Sequence, residues 1–392
     1  MFGMSGRQFA IMTAMALGRI GFGFQIQTVG SLGPDLMDIF HLDYAALGAL
    51  IGAFALPGTF AAVPLGLLGR RFGDRLTVGG GMALMAVGGV IAATGGGAQG
   101  VAYGRMVCGV GAVAMIIMQG KIIADWFQGR LFMPVLGVAV GAYPIGLGLG
   151  QLVQPPLAHA YGWPAPFLAG AAAMGAVSVL FTASFRDAPN AAPVSRSFSL
   201  PSGREMLLVI VAGLIWTFYT TGYTAYLSYL PSFMDARGEG LALTALAMTL
   251  ATWGNAPGNI VGGSLANRVG GLRLFLFGTL CLVIGMAATG WLGWAVAGAF
   301  VIGILGSFHP AVIVALGTLS ARPESRAVGM SLFYTAYYAG NTMGPAFCGW
   351  VADRVGDPAG AMYAAAAVSA AALPMYLLHR RLIPHAGLLP RP

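Results

Sequence analysis

One arginine sets the terms for any chemistry this chain performs. Arg19 stands near the middle of an apolar run from about residue 9 to residue 31. If that run crosses a bilayer, a guanidinium at its centre costs roughly 3 to more than 10 kcal/mol, so the group must face a cavity, a partner or a ligand. The 12 acidic residues, Asp35, Asp38, Asp43, Asp74, Asp125, Asp187, Glu205, Asp235, Glu239, Glu324, Asp353 and Asp357, all fall in connectors or at the ends of apolar runs. Asp35 is sixteen residues away, about 24 Å along a continuous helix. Two readings are open. Arg19 snorkels or donates to backbone carbonyls, or it binds the negative charge of a ligand. Met15, Phe22, Gly23 and Gln27 share its face at helical spacing. Gln27 can add amide donors to an anion's oxygens, while Gly23 either leaves room for a ligand or lets a second helix approach.

The second half of the chain carries polar aromatic stripes. Trp216, Tyr219, Thr220 and Tyr223 follow one helical face, and so do Tyr334, Tyr337, Tyr338 and Asn341. Hydroxyls at mid-depth serve a cavity or a protein core better than a lipid face. Thr252, Asn255 and Asn259 form a third row, beside Gly254, Pro257 and Gly258; those amides either line the same cavity or satisfy backbone groups freed by the Pro and Gly. His309, just before Pro310, can carry a coupling proton or donate to an anion; the other reading is a neutral ring that satisfies the backbone around the proline. Arg105 is placed near one end of its apolar run, within reach of the interface, as a coupling or gating residue or as a hydrogen-bond hub. Lys121, beside Asp125 and Trp126, reads as an interface anchor. Cys108, Cys281 and Cys348 lie in apolar stretches without His at metal-ligand spacing. No nucleophile–base pair, metal cluster or phosphate loop is present, so neither an enzyme nor a cofactor is expected.

The elements that hold these residues must be membrane helices. Hydrophobic residues make up 57% of the 392 and charged residues 8%, against about 25% charged in soluble domains. The net charge of +8 sits in short clusters between apolar runs, which argues against nucleic acid and for membrane orientation. Breaking the chain at its charge and Pro/Gly clusters gives twelve spans, roughly 9–31, 44–68, 76–96, 101–124, 132–154, 164–184, 206–231, 241–265, 273–291, 294–320, 327–350 and 360–383. The expectation is an all-α membrane protein with twelve transmembrane helices in two pseudo-symmetric six-helix bundles. Residues 1–185 form the first bundle, 186–205 a polar cytoplasmic linker and 206–392 the second. The first run has no clear cleavage site and is read as a retained helix. With both termini in the cytoplasm, 16 of the 20 basic residues fall on that side, while the opposite loops hold Arg237 and Arg354 beside seven acids. The positive-inside rule therefore places a multi-pass protein in the cell membrane in that orientation.

The two halves also repeat. Pro34 and Pro231, Gly66 and Gly263, Leu68 and Leu265, Arg71 and Arg268, and Gly73 and Gly270 are each 197 positions apart, a doubled plan that suits a two-halved transporter with its site between the halves. The connectors GLLGRRFGDR (Gly66 to Arg75) and GSLANRVGGLR (Gly263 to Arg273) resemble the loop signature G-x-L-a-D-R-x-G-R-[KR] of the major facilitator superfamily. The last Gly supports a sharp turn, and the basic residues can meet helix ends or lipid phosphates. Where the family has an acid this chain has Arg70 and Asn267, which puts any latch based on that carboxylate in doubt. Arg105, Gly109 and Gly111 match the family's R-x-x-x-G-x-G motif, and the resemblance implies coupling or gating roles for Arg105, Arg71 and Arg268. GNTMGP, Gly340 to Pro345, resembles the antiporter motif G-x-x-x-G-P but falls in the eleventh span instead of the fifth. The stretch LGRIGFGFQIQTVGSLGPDL looks like the first helix of the cyanate and nitroimidazole branch of anion carriers.

These features predict a monomeric transporter that moves a small anion by alternating access, with Arg19 as central clamp and the polar faces completing the ligand's shell. A coupling proton or ion, the bilayer and the anion are its expected partners. One alternative is an exporter of amphiphilic drugs or metabolites, suited by 20 Met and many aromatics. The other is a membrane receptor that carries no flux on the same fold.

Overall fold

The computed structural model describes residues 4–127, 132–186, 200–322 and 325–383. Those residues are helical with no strand among them, as a lipid solvent requires of an apolar chain whose backbone must bond to itself. They divide into two compact units: residues 1–35 with 53–195, and residues 36–52 with 196–392.

In the first unit, α1 (Gly6–Ser31) is followed by α2 (Gly33–Phe40), which runs on into the second unit. Next come α4 (Leu56–Thr94), α5 (Ala98–Trp126), α6 (Phe132–Tyr161) and α7 (Pro164–Ser184). Ser5 and Gln8 start α1 with a reciprocal capping box. Inside α4 the chain reverses at Gly73, whose φ of 78° and ψ of 165° suit glycine, so α4 comprises two membrane segments. The core of this unit is rich in Met and Phe, including Met82, Met115, Met174, Phe22, Phe127 and Phe181.

The second unit contains α3 (Tyr44–Gly52), α8 (Gly203–Asp235), α9 (Leu241–Trp253), α10 (Asn255–Val269), α11 (Gly271–Leu292) and α12 (Ala295–Phe300). After a π-helical turn at Val301–Leu305 follow α13 (Pro310–Leu319), α14 (Arg326–Val355), α15 (Ala359–Ala370) and α16 (Ala372–Leu382). Glycine again makes the sharp corner at Gly270, φ 92°, the repeat partner of Gly73.

The architecture is twelve membrane segments in two six-helix bundles. Among the described residues, seven helical stretches are long and apolar enough to cross a bilayer unbroken, Gly6–Ser31 and Gly203–Asp235 among them. The others are divided or carry Pro, Gly and polar residues. The second segment is cut at the Ala53–Ala55 turn, the eighth at Gly254 and the tenth at the π-turn before Pro310.

Candidate functional site

In the first unit α1 carries Arg19, Phe22 and Gln27. It lies against α6 with backbone touching backbone. A Cβ on Gly23 would collide with the Tyr143 carbonyl, and one on Gly146 with the carbonyl of Ile20. Close packing thus explains Gly23, and it fixes the helix one residue from Arg19. Arg19 itself is partly exposed, with its Nε buried. Phe22 joins the apolar core, stacked on Tyr143 with centroids 5.0 Å apart and tilted against Phe54 at 5.8 Å. Gln27 is buried, and its Nε2 meets no hydrogen-bond acceptor.

Arg105 departs from expectation: it does not reach an interface but is only 2% exposed. Gly109, one turn along α5, touches the Phe54 carbonyl so closely that no Cβ would fit. This draws α5 onto the Ala53–Ala55 turn and lays the guanidinium over the Phe54 ring at 5.2 Å. Its Nη1 and Nη2 donate to the carbonyls of Gln25 (3.4 Å) and Ile26 (3.2 Å). Beside it is a cavity of about 10 Å³ lined by Gln25, Thr28 and Cys108 among others, room for about one water. Gln25 Nε2 and Cys108 Sγ both donate to the Met85 carbonyl, each at 3.2 Å.

In the second unit the aromatic stripe of α8 meets the tenth segment. Tyr219 is buried, tilted against Trp216 at 5.5 Å, parallel to Tyr223 at 6.2 Å and edge-on to His309 at 4.8 Å. Its hydroxyl lies near Asn255 and Ser307, so four of the polar residues singled out in the sequence (Tyr219, Tyr223, Asn255 and His309) come together around one ring. Tyr223 donates to the Ala251 carbonyl at 2.9 Å, and Asn259 donates to the backbone and side-chain oxygens of Asn255.

His309 is fully buried between Tyr219 and Phe275, and neither ring nitrogen closes a hydrogen bond of normal geometry, although the Gly306 backbone lies beside it. It does not cap α13 through its side chain. Pro310 opens that helix without an N–H, and the carbonyl four residues before it is that of Gly306, the backbone group beside the ring.

On α14, Asn341 donates to Thr220 Oγ1 at 3.2 Å and to the Tyr337 carbonyl at 2.9 Å, which joins the eleventh segment to the seventh. Tyr334, Tyr337 and Tyr338 form an edge-to-face chain, Tyr334 being 38% exposed and Tyr338 buried. Arg268 is exposed in the last turn of α10. The side chains of Arg71, Arg70, Asn267 and Lys121 lie outside the described residues.

The profile of the Major Facilitator Superfamily matches residues 15–248 and again residues 217–392. The chain belongs to the major facilitator superfamily. Its fold is that of solved superfamily transporters. A bacterial homologue of the human lysosomal transporter Spinster, inward-facing and unoccupied, superposes with a TM-score of 0.77 at 16% identity over 99% of this chain and 100% of that one. The peptide transporter POT in complex with sulfate gives 0.76 at 16% identity over 98% and 96%. Among curated sequences an uncharacterized 38 kDa protein in the 23S RNA operon of Thermoproteus tenax is 28% identical over 265 residues, and the aligned region spans 64% of each chain. This superfamily member is accordingly a multi-pass membrane transporter that works by alternating access.

Sequence reasoning missed several residues of this superfamily chain. Glu205 is buried at the start of α8. Its Oε2 accepts the Ser202 N–H at 2.7 Å, while Oε1 accepts the Arg322 N–H at 3.0 Å and pairs with Arg322 Nε at 3.2 Å. The S-x-x-E spacing of Ser202 and Glu205 was the available signal. Asp353 accepts the Tyr44 and Ala45 N–H groups at the start of α3 and Tyr229 donates to the Tyr44 carbonyl, and no local pattern points to either.

Proposed function

We propose that this transporter carries a small organic or inorganic anion, with Arg19 as the central clamp. The observation that carries the reading is a permanently cationic side chain, partly accessible at the middle of the first membrane segment, in a chain whose acids all sit at segment ends or in connectors. A mid-depth positive charge attracts an anion and disfavours a cation. Gln27, with a buried amide nitrogen facing no acceptor, supplies a second donor on the same helix, next to Phe22.

In the second unit, Tyr219, Tyr223, Asn255, Tyr334, Tyr337, Tyr338 and Asn341 offer hydroxyls and amides to ligand oxygens. His309 and Arg105 serve coupling or gating, and Arg71 and Arg268 gate from the connectors. A coupling proton or ion is the expected second partner, and the working unit is a monomer in the cell membrane with both termini in the cytoplasm. The first-helix likeness to cyanate and nitroimidazole carriers supports the same substrate class.

Arg19→Ala and Arg19→Lys, tested for uptake of mono- and dicarboxylates and inorganic anions in cells or proteoliposomes, check the role. Uptake should fall to background while the amount of protein in the membrane stays unchanged. Undiminished uptake in Arg19→Ala disposes of the clamp.

A second reading, export of amphiphilic drugs or metabolites, is favoured by one specific observation. The Trp216–Tyr219–Tyr223 stack and the Tyr334–Tyr337–Tyr338 chain offer ring faces that suit varied apolar ligands. A drug-susceptibility panel in cells lacking their own pumps separates the two.

A further inference from the structure

The void beside Arg105, in the interior of the first unit, has polar walls. Gln25 and Thr28 of α1 and Arg105 and Cys108 of α5 line it, and Ala92 of α4 and Phe54 complete much of the rest. Its volume of about 10 Å³ is the size that takes a single water. An apolar hole stays dry, whereas one that offers a water two to four polar partners fills.

The partners can be counted. Gln25 is buried and donates from Nε2 to the Met85 carbonyl at 3.2 Å. That bond orients the amide, since the reverse placement would set oxygen against oxygen, and it leaves Oε1 as the buried atom without a hydrogen bond. Thr28 Oγ1 donates to the Phe24 carbonyl at 3.3 Å and accepts from Gln154 Nε2 at 2.9 Å. A hydroxyl has two lone pairs, so Thr28 keeps one acceptor position. Arg105 brings a guanidinium whose five N–H groups are all donors, two of which serve the Gln25 and Ile26 carbonyls. Two acceptors on α1 and a donor on α5 thus share one chamber.

We infer that the chamber is a binding site for one internal water, which donates to Gln25 Oε1 and Thr28 Oγ1 and accepts an N–H from Arg105. Three partners are the usual number for a buried water. The water satisfies an oxygen whose burial without a donor is costly, and it hydrates a cation held out of bulk solvent. Its network reaches beyond the chamber. Through Thr28 it runs to Gln154 on α6, which also donates to the Phe24 carbonyl at 2.7 Å, and through Gln25 to Met85 on α4. One water therefore joins α1, α4, α5 and α6 by hydrogen bonds. The inference concerns the interior of the first unit and is independent of the cargo and of any coupling ion.

Cys108 is a reporter already in place. It lines the chamber and is buried, and Cys348 in the second unit is buried as well. Full-length protein in lipid nanodiscs is to be equilibrated in heavy-oxygen water and given a short X-ray pulse under argon. Radiolysis converts a trapped water to hydroxyl radical, which attacks the adjoining thiol and leaves its oxygen on the sulfur. Cys108 should carry the heavy oxygen and Cys348 none. Ala92→Val, which fills the void, and Gln25→Met, which keeps the side-chain length but removes the acceptor, should each abolish the label in protein that still melts cooperatively. If neither variant folds, the contrast between Cys108 and Cys348 in the wild type decides. The proposal is overturned if wild-type Cys108 stays as unlabelled as Cys348 or if a folded variant keeps the label. Loss of the label when chloride replaces gluconate in the buffer would also overturn it, by giving the chamber to an anion.

Discussion

Alanine at Gly146 tests the contact that positions Arg19. A methyl group there overlaps the Ile20 carbonyl oxygen and comes within 2.8 Å of the Ile20 carbonyl carbon and 2.9 Å of its Cα. Ordinary carbon contacts lie at about 3.5–4.0 Å and the carbonyl oxygen sits closer than either carbon, so α1 and α6 must part by about 1 Å or more at that level. Backbone atoms cannot rotate aside, and overpacking of this kind costs about 1–3 kcal/mol. Alanine is also the better helix former, by about 0.8–1 kcal/mol, which would mask part of that cost. Gly141 on the same helix corrects for this, since nothing lies within 4 Å of its missing Cβ. The propensity gain cancels between Gly146→Ala and Gly141→Ala, leaving a gap of about 1–3 kcal/mol in favour of Gly141→Ala. Reversible unfolding of the purified variants in mixed micelles measures that gap, and transport by Gly146→Ala should fall because Arg19 moves with Ile20. Equal stability of the two variants, or a more stable Gly146→Ala, would refute the packing argument.

Two further outcomes follow from single side chains. Glu205→Ala removes the carboxylate half of the α8 capping box and the Arg322 pairing, while the residue-205 N–H still donates to Ser202 Oγ, so amide exchange at Ser202 and Arg322 should rise and stability fall by about 1–3 kcal/mol; exchange that stays at the wild-type rate would show that the bonds contribute nothing. Arg105→Lys keeps the charge but cannot fork across the Gln25 and Ile26 carbonyls while covering Phe54, so it should melt at a lower temperature than the wild type, and an unchanged melting temperature would argue that charge alone matters.

The sequence disclosed the architecture because its signals are local. Apolar runs of membrane length, the two glycines at Gly73 and Gly270 that turn with positive φ, and the 197-residue repeat all lie on the surface of the text. The placing of Tyr219, Tyr223, Asn255 and His309 around one ring was half legible. Each was recognisable as a polar residue at helical spacing, but their meeting depends on the π-turn at Val301–Leu305, which no composition rule marks. For Arg105 the reach to the interface was misread, because Gly109 brings the Phe54 backbone close and the side chain is buried, while its bonds to the Gln25 and Ile26 carbonyls fit the hydrogen-bond hub the sequence also allowed. The fastening of α3 was out of reach altogether. Asp353 caps an amide 309 positions earlier in the chain, and long-range capping leaves no periodicity to read.

The most direct test of the account is a thermal-shift screen of the purified transporter, wild type and Arg19→Gln, against small mono- and dicarboxylates, inorganic anions and amphiphilic drugs. The account predicts that at least one small anion stabilises the wild type, that the shift vanishes in Arg19→Gln, and that the drugs have no comparable effect. Stabilisation by an amphiphile that persists in Arg19→Gln, with no response to any anion, would contradict it.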